Sequence, residues 1–189
     1  MSQIREPAQP RSPEHIAESV WAVIADRGIA GVSMRSVATQ AGVSTGLVQH
    51  YFSTRSNLLH ASIERMIWSA ADRYAAIVHS GQDALEHAVA HVIPSTNSAR
   101  SGAGVWYGFL ALSVTDVGAA EILARAKHSQ ELEVARQLVR RGCPSDPDTA
   151  ARRLIALADG LAARVLIGDI DAFAARAFIR EEINATLDE

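Results

Sequence analysis

The sequence predicts an all-α protein. A small N-terminal three-helix unit holds a helix-turn-helix, a larger C-terminal helical bundle follows, and the helices number about nine. Three observations predict this. Apolar residues recur at helical spacing, as in Ile16, Val20, Val23 and Ile24. Cap residues, prolines and glycines stand where such runs should start and stop. No segment shows strand alternation, and no internal repeat or low-complexity tract is present.

Composition narrows the class. A chain of 189 residues suits one or two small domains and can bury a real core. Nearly half its residues are apolar, yet no uninterrupted apolar run approaches membrane-span length. The net charge of −3 excludes a uniformly basic nucleic-acid binder. Its distribution is more informative: residues 1–60 hold five Arg against four Asp/Glu, a net of +1, and the remainder holds thirteen Lys/Arg against seventeen Asp/Glu, a net of −4. The lone Cys143 gives no intramolecular disulfide framework and fits a reducing cytoplasm.

Residues 1–12 are polar and proline-punctuated and read as a disordered arm, since a signal peptide would carry an apolar stretch. Ser12-Pro13-Glu14 starts the first helix with a cap, a proline at the first helical position and an acid at the positive end of the dipole. Gly28 ends that helix. Ser33 caps a second, whose Val37, Ala38 and Ala41 form one apolar face, and Gly42 supplies the turn. Ser44 caps a third, with Val48 and Phe52 inward. Ser53-Thr54-Arg55-Ser56 breaks the chain again, and a fourth helix runs from about Thr54 to His79, nearly 40 Å at about 1.5 Å per residue.

Gly81-Gln82 reads as a break. Asp83 and Glu86 fit a capping box for a fifth helix ending before Pro94. Ser95 to Gly104 reads as a loop, and Val105 to Thr115 as a sixth helix apolar around most of its circumference and buried on several sides. A seventh runs from Ala119 to Arg141, where Gly142 stops it. The eighth begins at Asp146-Pro147 and ends near Gly168. The ninth spans about Ile170 to Leu187. The expected division is a helix-turn-helix domain over 13–59 and a second domain over 60–189.

The stretch Ser33 to Leu59 carries the chemistry. From Arg27 to Ile63 there is no Asp or Glu, while Arg27, Arg35 and Arg55 fall inside the window. Acid-free surface suits a polyanion, because phosphate contact supplies the sequence-independent part of DNA affinity. A short buried helical hairpin would ordinarily carry acids as well as bases on its outer side. Thr45, Gly46, Leu47, Gln49, His50 and Tyr51 remain facing outward from the third helix.

Thr39-Gln-Ala-Gly-Val-Ser-Thr-Gly, His50-Tyr-Phe-Ser-Thr-Arg and Leu58-Leu59 resemble the DNA-binding signature of TetR-family transcriptional regulators. The signature covers roughly residues 14 to 62, and the rest resembles the family in helical layout. The AGVSTG and HYF wording is also similar to the choline- and betaine-responsive branch. The resemblance implies a dimeric repressor that reads a palindromic operator and is released by a small-molecule effector. Matched by position, Arg35 would reach a base edge, ideally guanine. Thr45, Gly46 and Leu47 would lie at the floor of the major groove, and Gln49, His50 and Tyr51 would meet phosphates or bases. Ser33, Ser44 and Thr54 would place hydroxyls and helix starts at phosphates. Arg55 occupies a position usually filled by lysine, and Gln49 departs from the family's common tyrosine.

In the second domain, Trp68, Tyr74, Trp106, Tyr107 and Phe109 are candidate walls of an effector pocket, where aromatic faces could hold a quaternary ammonium. The dimer interface is expected on the last two helices, at Leu154, Leu157, Leu161, Val165, Phe173, Ala177 and Phe178. His87 and His91 have metal-ligand spacing but no carboxylate or cysteine pattern beside them, so no metal and no cofactor is expected. The alternatives are an enzyme or other ligand-binding helical protein with an appended helix-turn-helix, and an activator of the same fold. No glycine-rich phosphate loop or nucleophile elbow supports catalysis, and Asp159, Asp169 and Asp171 make no acid–base pair. The expectation is therefore a cytoplasmic, membrane-free DNA-binding protein that is not an enzyme.

Overall fold

The computed structural model describes residues 12–80 and 83–188. The expected N-terminal arm, up to residue 11, and the Gly81-Gln82 break lie outside the described residues. Among them are nine α-helices and no strand: α1 (Pro13–Arg27), α2 (Met34–Ala41), α3 (Thr45–Tyr51), α4 (Arg55–Ser80), α5 (Ala84–Ala90), α6 (Asn97–Ser113), α7 (Val117–Arg140), α8 (Pro147–Leu166) and α9 (Ala172–Asp188). A short 3₁₀ turn, Ile29–Gly31, stands between α1 and α2. Sequence periodicity does not reveal it, because three residues are too few to show a period.

Most boundaries follow the caps. Ser12, Ser33, Ser44, Asp83, Asp116 and Asp146 each accept a backbone N–H at the start of a helix. Gly42 closes α2 in the left-handed region at φ 66°. The sixth helix departs from expectation. It starts at Asn97, capped by Thr96, and runs through Gly102 and Gly104. Arg100 explains the extra turns: its guanidinium donates to the Val165 and Leu166 carbonyls at 3.0 and 2.8 Å and satisfies the open end of α8. Only Val105 and Phe109 of α6 are fully buried, so this helix covers one face rather than several. The fifth helix is shorter than expected, closing at Ala90, although Ile93 beyond it is still core.

Two apolar cores organise the described residues. The first joins α1, α2, α3 and the start of α4 to Val105 and Phe109 of α6 and to Ala119, Ile122 and Leu123 of α7. The second joins α5, the later part of α7, α8 and α9. The first core thus continues past residue 59. Helix α4 spans both: Leu58, Leu59 and Ile63 lie in the first, and Tyr74 packs on the second.

Leu154, Leu161 and Val165, expected between subunits, are buried inside this chain's own second core. The reason is that α5, α7 and α9 all pack against α8 and consume its apolar face. Leu157 and Ala177 are half-buried. Phe173 and Phe178 stay outside, 79% and 43% exposed. No helix among the described residues is long and apolar enough to cross a membrane.

Candidate nucleic-acid interface and effector region

The helix-turn-helix is built by reciprocal caps. Ser33 Oγ accepts the Ser36 amide at 3.1 Å, and the Ser33 amide donates to Ser36 Oγ at 2.8 Å. Ser36 Oγ also donates to the Gly31 carbonyl at 2.9 Å, tying α2 to the preceding turn. After Gly42, the Val43 amide returns to the Ala38 carbonyl at 3.0 Å. The Leu47 amide then donates to Ser44 Oγ at 3.2 Å and starts α3.

Val48 and Phe52 anchor α3 in the first core. With those two inside, helical geometry turns Gly46, Gln49, His50 and Tyr51 to solvent, while Thr45 and Leu47 are half-buried. The His50 and Tyr51 rings meet edge to face with centroids 5.3 Å apart, which limits their rotation. Arg35 is exposed on α2. It borders a polar groove of about 340 Å³ shared with Val23, Asp26, Arg27, Ser33, Ser36, Thr39 and Gln40. Asp26, just outside the acid-free window, therefore stands on this face, and Arg27 pairs with it at 2.9 Å. Thr54 accepts the Asn57 amide at 3.1 Å at the start of α4.

Arg55, expected in the DNA-binding set at the position usually filled by lysine, is exposed at the start of α4. Its Nε donates to the Val32 carbonyl and its Nη2 to the Ile29 carbonyl, each at 2.7 Å. Two of its five donors are spent on these carbonyls, while the residue stays exposed.

Polar contacts connect this unit to the rest. Arg65 on α4 pairs with Glu18 on α1 at 2.6 Å. Asp116, which caps α7, accepts from the Ser56 hydroxyl at 2.8 Å and meets His60 Nε2 at 2.7 Å. The Ala119 amide and these two α4 side chains hold the Asp116 carboxyl down at about 2. Gly118 lies so close to His60 that a Cβ there would come within 2.5 Å of the ring. Sequence inspection does not find this contact, since its members are 56 and 60 residues apart.

The five aromatic residues expected around an effector do not form one wall. Phe109 is fully buried in the first core, and Trp68 is 61% exposed on α4. Tyr74 donates to Glu133 at 2.6 Å and accepts from Gln137 at 3.0 Å. Burial and the bond to Glu133 push its hydroxyl up to about 12. Burial alone would raise Glu133, but the bonds from Tyr74 and Gln137 outweigh it and hold the carboxyl below its ordinary value. Trp106 and Tyr107 do come together around one ion pair. Lys127 Nζ lies 5.8 Å from the centroid of the Trp106 ring and 2.7 Å from Asp159 Oδ1. The Tyr107 hydroxyl donates to the Asp159 carbonyl at 3.1 Å. Burial, then the nearby Asp159 charge, raises the Tyr107 hydroxyl. Lys127 and Asp159 had no local sequence signal, being two among several charged residues on α7 and α8. His87 and His91 stack with centroids 5.8 Å apart, and among the described residues no group of three or more metal-ligating side chains gathers.

Comparison with known proteins agrees with this architecture. The family model of bacterial regulatory proteins of the tetR family matches residues 16–62, and that of BetI-type transcriptional repressor C-terminal regions matches residues 81–188. The HTH-type transcriptional regulator BetI of Burkholderia cenocepacia J2315 is 30% identical over 174 residues, covering 87% of this chain and 88% of that protein. The HTH-type transcriptional regulator PksA of Bacillus subtilis is 27% identical over 165 residues, covering 83% and 80%. A transcriptional regulator from Rhodococcus sp. Rha1 superposes with a TM-score of 0.84 at 27% identity, over 94% of this chain and 96% of that one. A protein from Saccharomonospora viridis, solved in complex with choline, superposes with a TM-score of 0.81 at 25% identity, over 93% and 97%. The chain belongs to the TetR family of bacterial transcriptional regulators, with a C-terminal region of the BetI type.

Proposed function

We propose that this regulator is a dimeric repressor that binds a palindromic operator through α2 and α3 and is released by a small organic cation. One observation carries the DNA half: α3 is anchored by Val48 and Phe52 and presents Gly46, Gln49, His50 and Tyr51 outward, with no carboxylate on that helix. Thr45, Gly46 and Leu47 approach the groove floor, where Leu47 can meet a thymine methyl. Arg35 reads a base edge. Gln49, His50 and Tyr51 contact phosphates or bases, and Ser33, Ser44 and Thr54 bring hydroxyls to phosphates. Residues 13–59 serve as the DNA-binding domain and 60–189 as the regulatory one.

A dimer fits the exposed Phe173 and Phe178, which a second subunit would cover together with the half-buried Leu157 and Ala177. Two copies place two recognition helices about one DNA turn apart. For the effector, the Trp106 face and the Asp159 carboxylate already hold one cation, the Lys127 ammonium, and a quaternary ammonium would take that place by displacing it. The choline complex of the similar S. viridis protein supports that class. Binding would favour an arrangement in which α4 shifts and the two recognition helices lose their spacing.

Fluorescence anisotropy with duplexes from upstream of this protein's own gene tests the proposal. Expected is tight binding to one palindromic segment, lost in an Arg35→Ala, Tyr51→Ala double variant and weakened by choline chloride. Equal, weak binding to every duplex at all salt concentrations would overturn it.

A further inference from the structure

Arg55 is the first residue of α4, where the chain leaves α3. Its Nε and Nη2 reach the Val32 and Ile29 carbonyls, 23 and 26 residues earlier. Ile29 opens the 3₁₀ turn between α1 and α2. Val32 is a buried, extended residue directly before Ser33, which caps α2. The Val32 carbonyl therefore marks where the backbone turns into α2. A planar guanidinium can hold two carbonyls with one edge, and the two equal distances show that edge in use. A lysine ammonium is a point charge on one atom and cannot reproduce the fork.

The geometry points to Arg55 as a positioning residue for operator recognition. Its fork holds the start of α4 against the entry to α2, and so sets Ser33 and Arg35 relative to α3; this rests on the DNA-binding role proposed above. A phosphate contact would act through charge, and lysine would serve as well. A clamp acts through shape, and lysine fails. The two roles also differ in salt response, because each phosphate contact contributes about 0.9 to the slope of log affinity against log salt.

The test uses the full chain and a duplex selected by the wild-type protein from a random-sequence library, with a scrambled duplex as control. Affinities of wild type, Arg55→Lys and Arg55→Ala are measured across a salt series. The active fraction comes from stoichiometric titration at high concentration. Expected for Arg55→Lys is roughly tenfold weaker binding to the selected duplex, the size of one lost charge-assisted contact. The salt slope, the affinity for scrambled duplex and the active fraction stay as in wild type. Arg55→Lys binding both duplexes like wild type, with Arg55→Ala lowering the slope by about one unit, would overturn the clamp and restore a phosphate role. A reduced active fraction with unchanged affinity of the active remainder would also overturn it. A wild-type protein that enriches no sequence instead removes the regulator proposal itself, and the clamp with it.

Discussion

Replacing Asp116 by alanine removes three contacts at once. The Ala119 amide loses its acceptor at 2.9 Å, the Ser56 hydroxyl its acceptor at 2.8 Å, and His60 its partner at 2.7 Å. Loss of an N-cap costs about 1 kcal/mol. Each hydrogen bond to a charged acceptor contributes about 1.5 kcal/mol or more when shielded. The His60 and Asp116 side chains are 26% and 20% exposed, so solvent screens part of that, and a total of about 2–3 kcal/mol is reasonable. For a chain of this size, that lowers the melting temperature by roughly 4–12 °C. Asp116→Asn separates the contributions: asparagine caps as well as aspartate, so it should lose only the charge and cost about half as much. The pH dependence follows from the depressed carboxyl. A folded value of about 2 against an ordinary value near 3.8 means the charge-dependent stability is complete above the ordinary value. It is lost as pH falls through the folded one. Thermal and urea denaturation of wild type and both variants, from about pH 6 down to about pH 3, measures this. A wild-type advantage over Asp116→Asn that stays constant over that range, or an Asp116→Ala melting temperature within about 2 °C of wild type, would refute the reasoning.

Gly118→Ala should destabilise by roughly 1–3 kcal/mol despite alanine's better helix propensity, because the new Cβ would meet the His60 ring at 2.5 Å. Since the same His60 contact is lost in Asp116→Ala, the two effects should fall well short of additive in a double-variant cycle. Ser62→Ala should be neutral or raise the urea midpoint by up to about 1 kcal/mol in stability, because the Ser62 hydroxyl is buried with no hydrogen-bond partner among the described residues. A Phe173→Glu, Phe178→Glu double variant should sediment as a monomer while keeping its helical circular dichroism; an unchanged sedimentation coefficient would remove those residues from the dimer interface.

Helix existence and position were legible because their causes are local. Ser12, Ser33, Ser44, Asp83 and Asp146 cap helices within three residues of themselves, and Gly42 is needed where the backbone turns left-handed. The outward face of α3 was legible too, since Val48 and Phe52 must point inward and helical spacing dictates the rest. Even the extended start of α6 had a local cause in Thr96, obscured by Gly102 and Gly104.

Pairing between distant segments was decided only by the tertiary structure. Leu154 and Phe173 are both apolar residues of the last two helices, yet one is core and the other exposed, because α5, α7 and α9 cover α8 on one side. Phe109 reads equally well as a pocket wall or as packing, and its full burial comes from the packing of α6 on α1 and α7. Arg55 carries the same charge whether it faces a phosphate or two carbonyls, and the carbonyls it meets belong to Ile29 and Val32, 26 and 23 residues earlier. Caps and periodicity are properties of a few consecutive residues, so the chain states them directly. Which polar group meets which across the fold depends on how the helices pack, and that geometry exists only once both cores have formed.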